Sequence, residues 1–106
     1  MSPQRYRLLI RPEARAEAAE AAAWYEARET GLGRDFLRTF RAATDLLRRN
    51  PQHYQTVFAE MRRVLLRRFP YGVFYEIHGS EVVVLGCLHE ARDPVAWQGR
   101  ATPPSP

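Results

Sequence analysis

Apolar positions recur at helical spacing over the first half of the chain, then alternate or run together as in strands beyond a loop through "QHY", residues 52–54. "RYRLLI", residues 5–10, is short and apolar enough for a first strand, and Pro12 stands where the first turn of a helix tolerates proline. From Glu13 to about Glu29 the residues are mainly Ala, Glu and Arg with no breaker. Ala14, Ala18, Ala21 and Tyr25 fall on one face, and small alanines let such a helix lie close to its neighbour. "TGLGRD" interrupts with two glycines, which suits a tight helical hairpin. A second helix follows over about Arg34 to Arg49, with Phe36, Phe40, Ala43 and Leu47 as its apolar spine, Leu37 beside them, and Arg34, Arg38, Arg41, Arg48 and Arg49 pointing away. "NP" at 50–51 stops it.

The second half predicts three successive strands, "RRVLLRRF", "YGVFYEIH" and "EVVVLGCLH", with "GS" at 79–80 as a two-residue hairpin turn and Pro70 and Gly72 marking the earlier connection. "DPVAW" starts a short terminal helix with Pro94 in its first turn. The predicted fold is α+β, in the order β-α-α-β-β-β, with the helical hairpin packed on one face of a mostly antiparallel sheet and the other face open. At 106 residues the chain has room for one domain, read as residues 1–100, and "ATPPSP", residues 101–106, is too proline-rich and short to pack.

Charge changes the picture. All sixteen basic residues are arginine against twelve acids, a net charge of +4, which suits nucleic acid or an acidic protein surface without choosing between them. The lone Cys87 has no internal disulfide partner, and His53, His78 and His89 are scattered, so neither a metal nor another cofactor is expected. "VVVLGCL" is far short of the ~20 residues a membrane span needs, and the expectation is a cytoplasmic protein that neither crosses nor binds a membrane.

Two stretches carry candidate chemistry. In "RRVLLRRF" strict alternation puts Arg63, Leu65, Arg67 and Phe69 on one side and Val64, Leu66 and Arg68 on the other, so neither side is cleanly apolar. Either the arginines guard a sheet rim, or Arg63 and Arg67 form a basic strip on the open face. In "HEARDPVAW", Asp93 caps the short helix and Trp97 folds back onto the body, while His89 and Arg92 have less structural reason to be there. Cys87 reads as core, Tyr71 and Tyr75 share a face with Val73 and Ile77 and read as packing residues, and His78 reads as solvated.

"WYEARETGLGRDF", "RRFPYGVFYEI" and "HEARDPVAW", in this order and spacing, resemble the RelE/ParE superfamily of bacterial type II toxins, particularly its ParE-like branch. The resemblance spans Tyr6 to about Arg100. It implies a toxin of a plasmid-stabilising, growth-arresting pair, neutralised by a cognate ParD-like antitoxin from a small neighbouring gene whose C-terminal segment binds across the helical hairpin and the open sheet.

The resemblance leaves two targets. RelE-like members cleave messenger RNA on the ribosome, and characterised ParE-like members bind and poison DNA gyrase. RNA cleavage without a metal needs a base, an acid and cations around the phosphorane. Gly72 stands after Tyr71 where the ribonuclease branch tends to carry arginine, and Trp97 stands where it carries tyrosine. The chain has no lysine, and arginine is a poor proton acceptor. A ribonuclease would have to rely on His89, Tyr71 and Tyr75, with Arg92 and Arg67 around the phosphate. Gyrase binding needs only a few anchors, for which Arg63, Arg67, Arg92 and Trp97 are available. The departures favour the gyrase-binding reading over the ribonuclease, with a non-toxic nucleic-acid-binding module as a third alternative.

Overall fold

The alanine-rich first helix and the amphipathic second form the hairpin that the spacing predicts. In the computed structural model, which describes residues 5–103, strand β1 (Arg7–Ile10) leads into α1 (Pro12–Arg28), α2 (Leu32–Arg49) and a 3-10 turn (Pro51–His53). Strands β2 (Thr56–Phe58), β3 (Met61–Leu65), β4 (Tyr71–His78) and β5 (Glu81–His89) follow, and α3 (Val95–Gln98) closes the chain. The end of the proline-rich tail, residues 104–106, lies outside the described residues.

The two glycines of the hairpin do different work. Gly31 adopts a left-handed conformation with φ 97°, while Gly33 lets α2 approach α1 so closely that a Cβ there would sit 2.6 Å from the Ala22 carbonyl oxygen. Glu26 closes the turn by accepting hydrogen bonds from the N–H groups of Gly31 and Gly33, so a carboxylate from α1 satisfies the positive end of α2. The spine Phe36, Phe40, Ala43 and Leu47 is buried, as are Ala14, Ala18 and Ala21, and together they pack on Val64, Val73, Tyr75, Val82 and Val84 of the sheet.

The sheet has five strands in the order β1-β5-β4-β3-β2. β1 pairs with β5 in parallel and every other pair is antiparallel, so the first strand lies beside the last. β2, three residues ahead of β3, is an additional edge strand; its "TVF" is too short to show a period. The β4–β5 hairpin turns at Gly79 and Ser80 with Gly79 at φ 61°. Gly72 is not part of a connection but lies inside β4, paired with Leu65.

The second sheet face is not open. Trp97 is buried and stacked on Phe74 with ring centroids 4.6 Å apart, and with Met61, Val83, Leu85 and Leu88 it builds a second core under α3. Asp93 caps α3 by accepting the Val95 N–H at 3.0 Å. Ala101 packs against this core and Thr102 hydrogen-bonds the sheet, so the start of the tail packs although its composition suggests otherwise.

Two carboxylates fasten this cover. A bulge leaves Leu85 as an extra residue in β5, and β1 pairs with β5 only as far as Val84, so the strand edge beyond has no neighbouring strand. Glu17 of α1 accepts the Cys87 N–H at 3.0 Å, and Arg100 grips Glu17 through both nitrogens at 2.9 and 2.8 Å while donating to the Leu85 carbonyl at 3.0 Å. On the second face, Glu76 is fully buried; it accepts from the Thr102 N–H and hydroxyl at 2.9 and 2.6 Å and meets His78 Nε2 at 2.8 Å. His78 is therefore engaged rather than merely solvated.

Gly86 leaves the space that Arg100 occupies, because a Cβ there would stand 2.7 Å from Arg100 Nη1. Gly86→Ala is expected to push the guanidinium off Glu17 and lower stability by about 2 kcal/mol. Urea denaturation measures this, and an unchanged midpoint would show that the arginine swings aside freely. For Glu76, burial alone pushes the carboxyl up, but the hydrogen bonds from Thr102 and His78 outweigh it and hold it below its ordinary value of 4.5. Its contribution should be complete above about pH 4.5 and fade as pH falls through the lowered folded value. The stability gap between wild type and Glu76→Gln, followed by urea midpoint against pH, should therefore close in acid; a gap constant down to pH 2 would contradict the assignment.

Candidate functional site

An aromatic column carries the site from core to surface. Tyr25 of α1 and Phe36 of α2 stack at 5.7 Å, Phe69 and Tyr71 pack edge-on against them, and Tyr71 in turn meets the His89 ring at 5.2 Å. Above it, a groove of about 420 Å³ opens between α1 and the end of β5, lined by Glu17, Glu20, Trp24 and Tyr25 on the helix and by Tyr71, His89 and Arg92 opposite. Trp24 is 51% exposed, with the Arg28 guanidinium 3.8 Å from its ring centroid.

Of the residues a ribonuclease would use, the groove brings together Tyr71, His89 and Arg92. It does not contain Tyr75 or Arg67. Tyr75 is fully buried and donates its hydroxyl to the Pro51 carbonyl at 2.6 Å, and burial raises its pKa strongly. The Tyr71 phenol is also pushed up, first by burial and then by Tyr25 and Cys87, so it stays protonated at neutral pH. His89 Nδ1 accepts the Ala91 N–H at 2.9 Å, which leaves Nε2 to carry the ring proton. To accept a proton, that ring must give up the Ala91 bond. Cys87 borders the groove as a thiol that burial, with help from Glu17, pushes up to about 12, too high for a nucleophile.

The four arginines of "RRVLLRR" part company. β3 ends at Leu65, and Arg68 takes a left-handed conformation with φ 71°, which swings Phe69 to the same core as Leu66 and ends the alternation. Arg62 donates to the carbonyls of Gln52 and Tyr54 and is structural. Arg68 lies 3.5 Å from Asp35 of α2. Arg67 is exposed in the loop rather than on a strand face, so it shares no basic strip with Arg63.

Arg63 lies on the second sheet face, where its methylenes fill the space above Gly72: a Cβ at Gly72 would stand 2.9 Å from Arg63 Cδ. Beside Arg63, Val57 and Leu65 line a second hollow of about 470 Å³. Trp97 folds back onto the body as its position suggests and is only 8% exposed, its ring covering Phe74, so it is not available as an anchor. Of the proposed anchors, Arg67 and Arg92 are the freely presented ones.

The sequence reading missed Trp24, Glu17, Glu20, Glu76 and Arg100. Trp24 carried a signal, being the one large apolar side chain on a helix whose outer surface is otherwise Ala, Glu and Arg. The others depend on residues far apart in the chain.

Among the described residues no helix is long and apolar enough to cross a membrane. No curated protein matches the chain. A solved structure of the chromosomal ParDE TA system from P. aeruginosa shares the fold, with a TM-score of 0.72 at 15% identity over 81% of this chain and 97% of that one. A family model described as the ParE toxin of the type II toxin-antitoxin system parDE matches residues 8–94, which takes in α1, α2, the groove and the strands apart from the first residue of β1. By that match the chain belongs to the ParE toxin family.

Proposed function

We propose that this ParE-family chain is a cytoplasmic toxin that arrests growth by binding DNA gyrase, and that a ParD-like antitoxin neutralises it. The observation that carries this reading is the scattered state of the groups RNA cleavage would need. Tyr75 is sealed in the core, Arg67 lies outside the groove, and His89 has its acceptor nitrogen occupied. Glu20 lines the same groove and would repel a phosphodiester, while Glu17 beside it is paired with Arg100. A protein target needs none of that proton chemistry. Exposed arginines and tryptophan are the usual anchors of a protein interface; Arg28 and Arg92 flank the exposed Trp24, and Arg67 is exposed in the loop before β4. Arg63 would contribute from the opposite face, and Trp97 would act by holding that face together.

Expression without antitoxin is expected to induce a DNA-damage response with trapped gyrase cleavage complexes, leaving messenger RNA intact. Arg67→Ala combined with Arg92→Ala should weaken gyrase inhibition by roughly tenfold or more, whereas His89→Ala should retain it. Normal supercoiling beside rapid messenger RNA decay, abolished by His89→Ala, would establish the ribonuclease instead.

The antitoxin segment has to be placed differently from the expectation of an open sheet, because α3 covers that face. The exposed Trp24 and the groove beside α1 are where an apolar segment of the antitoxin would dock. Coexpression with the product of a small neighbouring gene should give a stable complex, and Trp24→Ser should weaken it by roughly tenfold or more in a binding titration. A complex of unchanged affinity would move the contact elsewhere on the hairpin.

A further inference from the structure

The chain makes a second concentration of charge at the far end of α2. The Tyr6 N–H donates to the Arg48 carbonyl at 2.8 Å, and the Tyr6 hydroxyl accepts from Gln52 Nε2 at 2.7 Å, so the segment entering β1 is tied at two points to the end of the helix. That tie brings Arg5 beside Arg48 and Arg49, and the three line a polar hollow of about 160 Å³ with Asp45 as the one acid.

Three guanidiniums gathered around one acid should recruit that acid. Asp45 is three and four residues ahead of Arg48 and Arg49, the spacing at which helical ion pairs form. Yet among the described residues no carboxylate lies within 4.0 Å of Arg5, Arg48 or Arg49, and none of the three donates a side-chain hydrogen bond. Arg48 Nε is buried without a partner there. The negative end of the helix accounts for Arg48 and Arg49 in its last turn. It does not account for Arg5, which arrives from another element into the same hollow.

We infer that Arg5, Arg48 and Arg49 form a binding site for a phosphate group, borne either by a small free anion or by a nucleic-acid backbone. The planar forks of arginine match phosphate oxygens in pairs, and a hollow of this size has room for a phosphate group. This site lies among residues distinct from the anchors proposed to meet gyrase and from the groove proposed for the antitoxin, so it acts beside those functions rather than through them.

Amide and arginine side-chain NMR shifts of the purified chain, titrated with inorganic phosphate against sodium chloride of matched ionic strength, test the site. A saturable shift confined to residues around Arg5, Arg48 and Arg49, with a Kd on the order of millimolar, is expected for a free anion. If phosphate alone shifts nothing but a short DNA duplex does, at these residues and with affinity falling as salt rises, the backbone is the source. Arg5→Gln with Arg49→Gln should weaken whichever binding is seen by roughly tenfold or more, and Arg49→Lys should recover only part of it. Shifts identical in phosphate and chloride and absent with duplex, or shifts centred elsewhere, would overturn the site, and the wild-type mapping decides this even if the double variant fails to fold.

Discussion

One guanidinium ties the cover on the second face of this sheet to the helices on the first. Arg100 reaches round the unpaired edge of β5, binds Glu17 of α1 through two parallel hydrogen bonds and closes on the Leu85 carbonyl. In doing so it ties a helix packed on one face to a segment packed on the other. The pair is not fully buried, its side chains being 26% and 18% exposed, so it avoids the full desolvation cost of an internal ion pair while its fork geometry keeps it directional. Without it, the Cys87 N–H would still have Glu17, but Leu85 would lose the donor for its outward carbonyl and α3 would rest on the Trp97 stack and the Glu76 bonds alone.

That cover decides where a partner can bind. An exposed sheet face studded with arginine would make the second face the natural contact surface, but Trp97, Ala101 and Thr102 occupy much of it and Arg63 lies flat against Gly72. The surfaces that remain are the groove beside α1, the loop bearing Arg67, the outer face of the helical hairpin and, at the β2–β3 edge, the hollow beside Arg63. The family match spans residues 8–94 and so stops just before α3, which means the fastening residues Arg100 and Thr102 lie beyond the stretch shared with the family. The groove itself lies wholly inside it.

Much of this was legible in the residues. The spine of α2, the alanine face of α1, the Gly79 turn and the Asp93 cap each rest on spacing or local chemistry within a few positions, and each is found. What failed was strict alternation over "RRVLLRRF", because β3 ends at Leu65 and the loop beyond it turns left-handed at Arg68. The covered face had a signal as well. Val82 to Leu85 runs apolar without a polar alternate, and its partner β4 places Phe74 between Val73 and Tyr75, the pattern of strands buried on both sides. An open face would have needed polar residues at those positions. The place of β1 beside β5 had no such trace, since parallel pairing between residues some seventy positions apart leaves no local pattern.

Two glycines show how arginine is accommodated on the second face. Gly72 gives its space to the methylenes of Arg63, and Gly86 gives its space to Arg100. A larger residue at 72 would lift Arg63 off the sheet and point a second side chain into the solvent beside it, the arrangement that a basic strip around a phosphate requires. Here the chain does the reverse. It lays the arginine down and holds the neighbouring face closed, so cationic charge on that side is spent on packing. Exposed arginine is presented instead in the loops, at Arg67 and Arg92, along the outer face of α2, at Arg34, Arg38 and Arg41, and at the end of that helix. Arginine laid against a sheet packs through its methylenes, whereas arginine on a loop or at a helix end keeps its guanidinium in water, so position in the fold decides which of these charges a partner can reach.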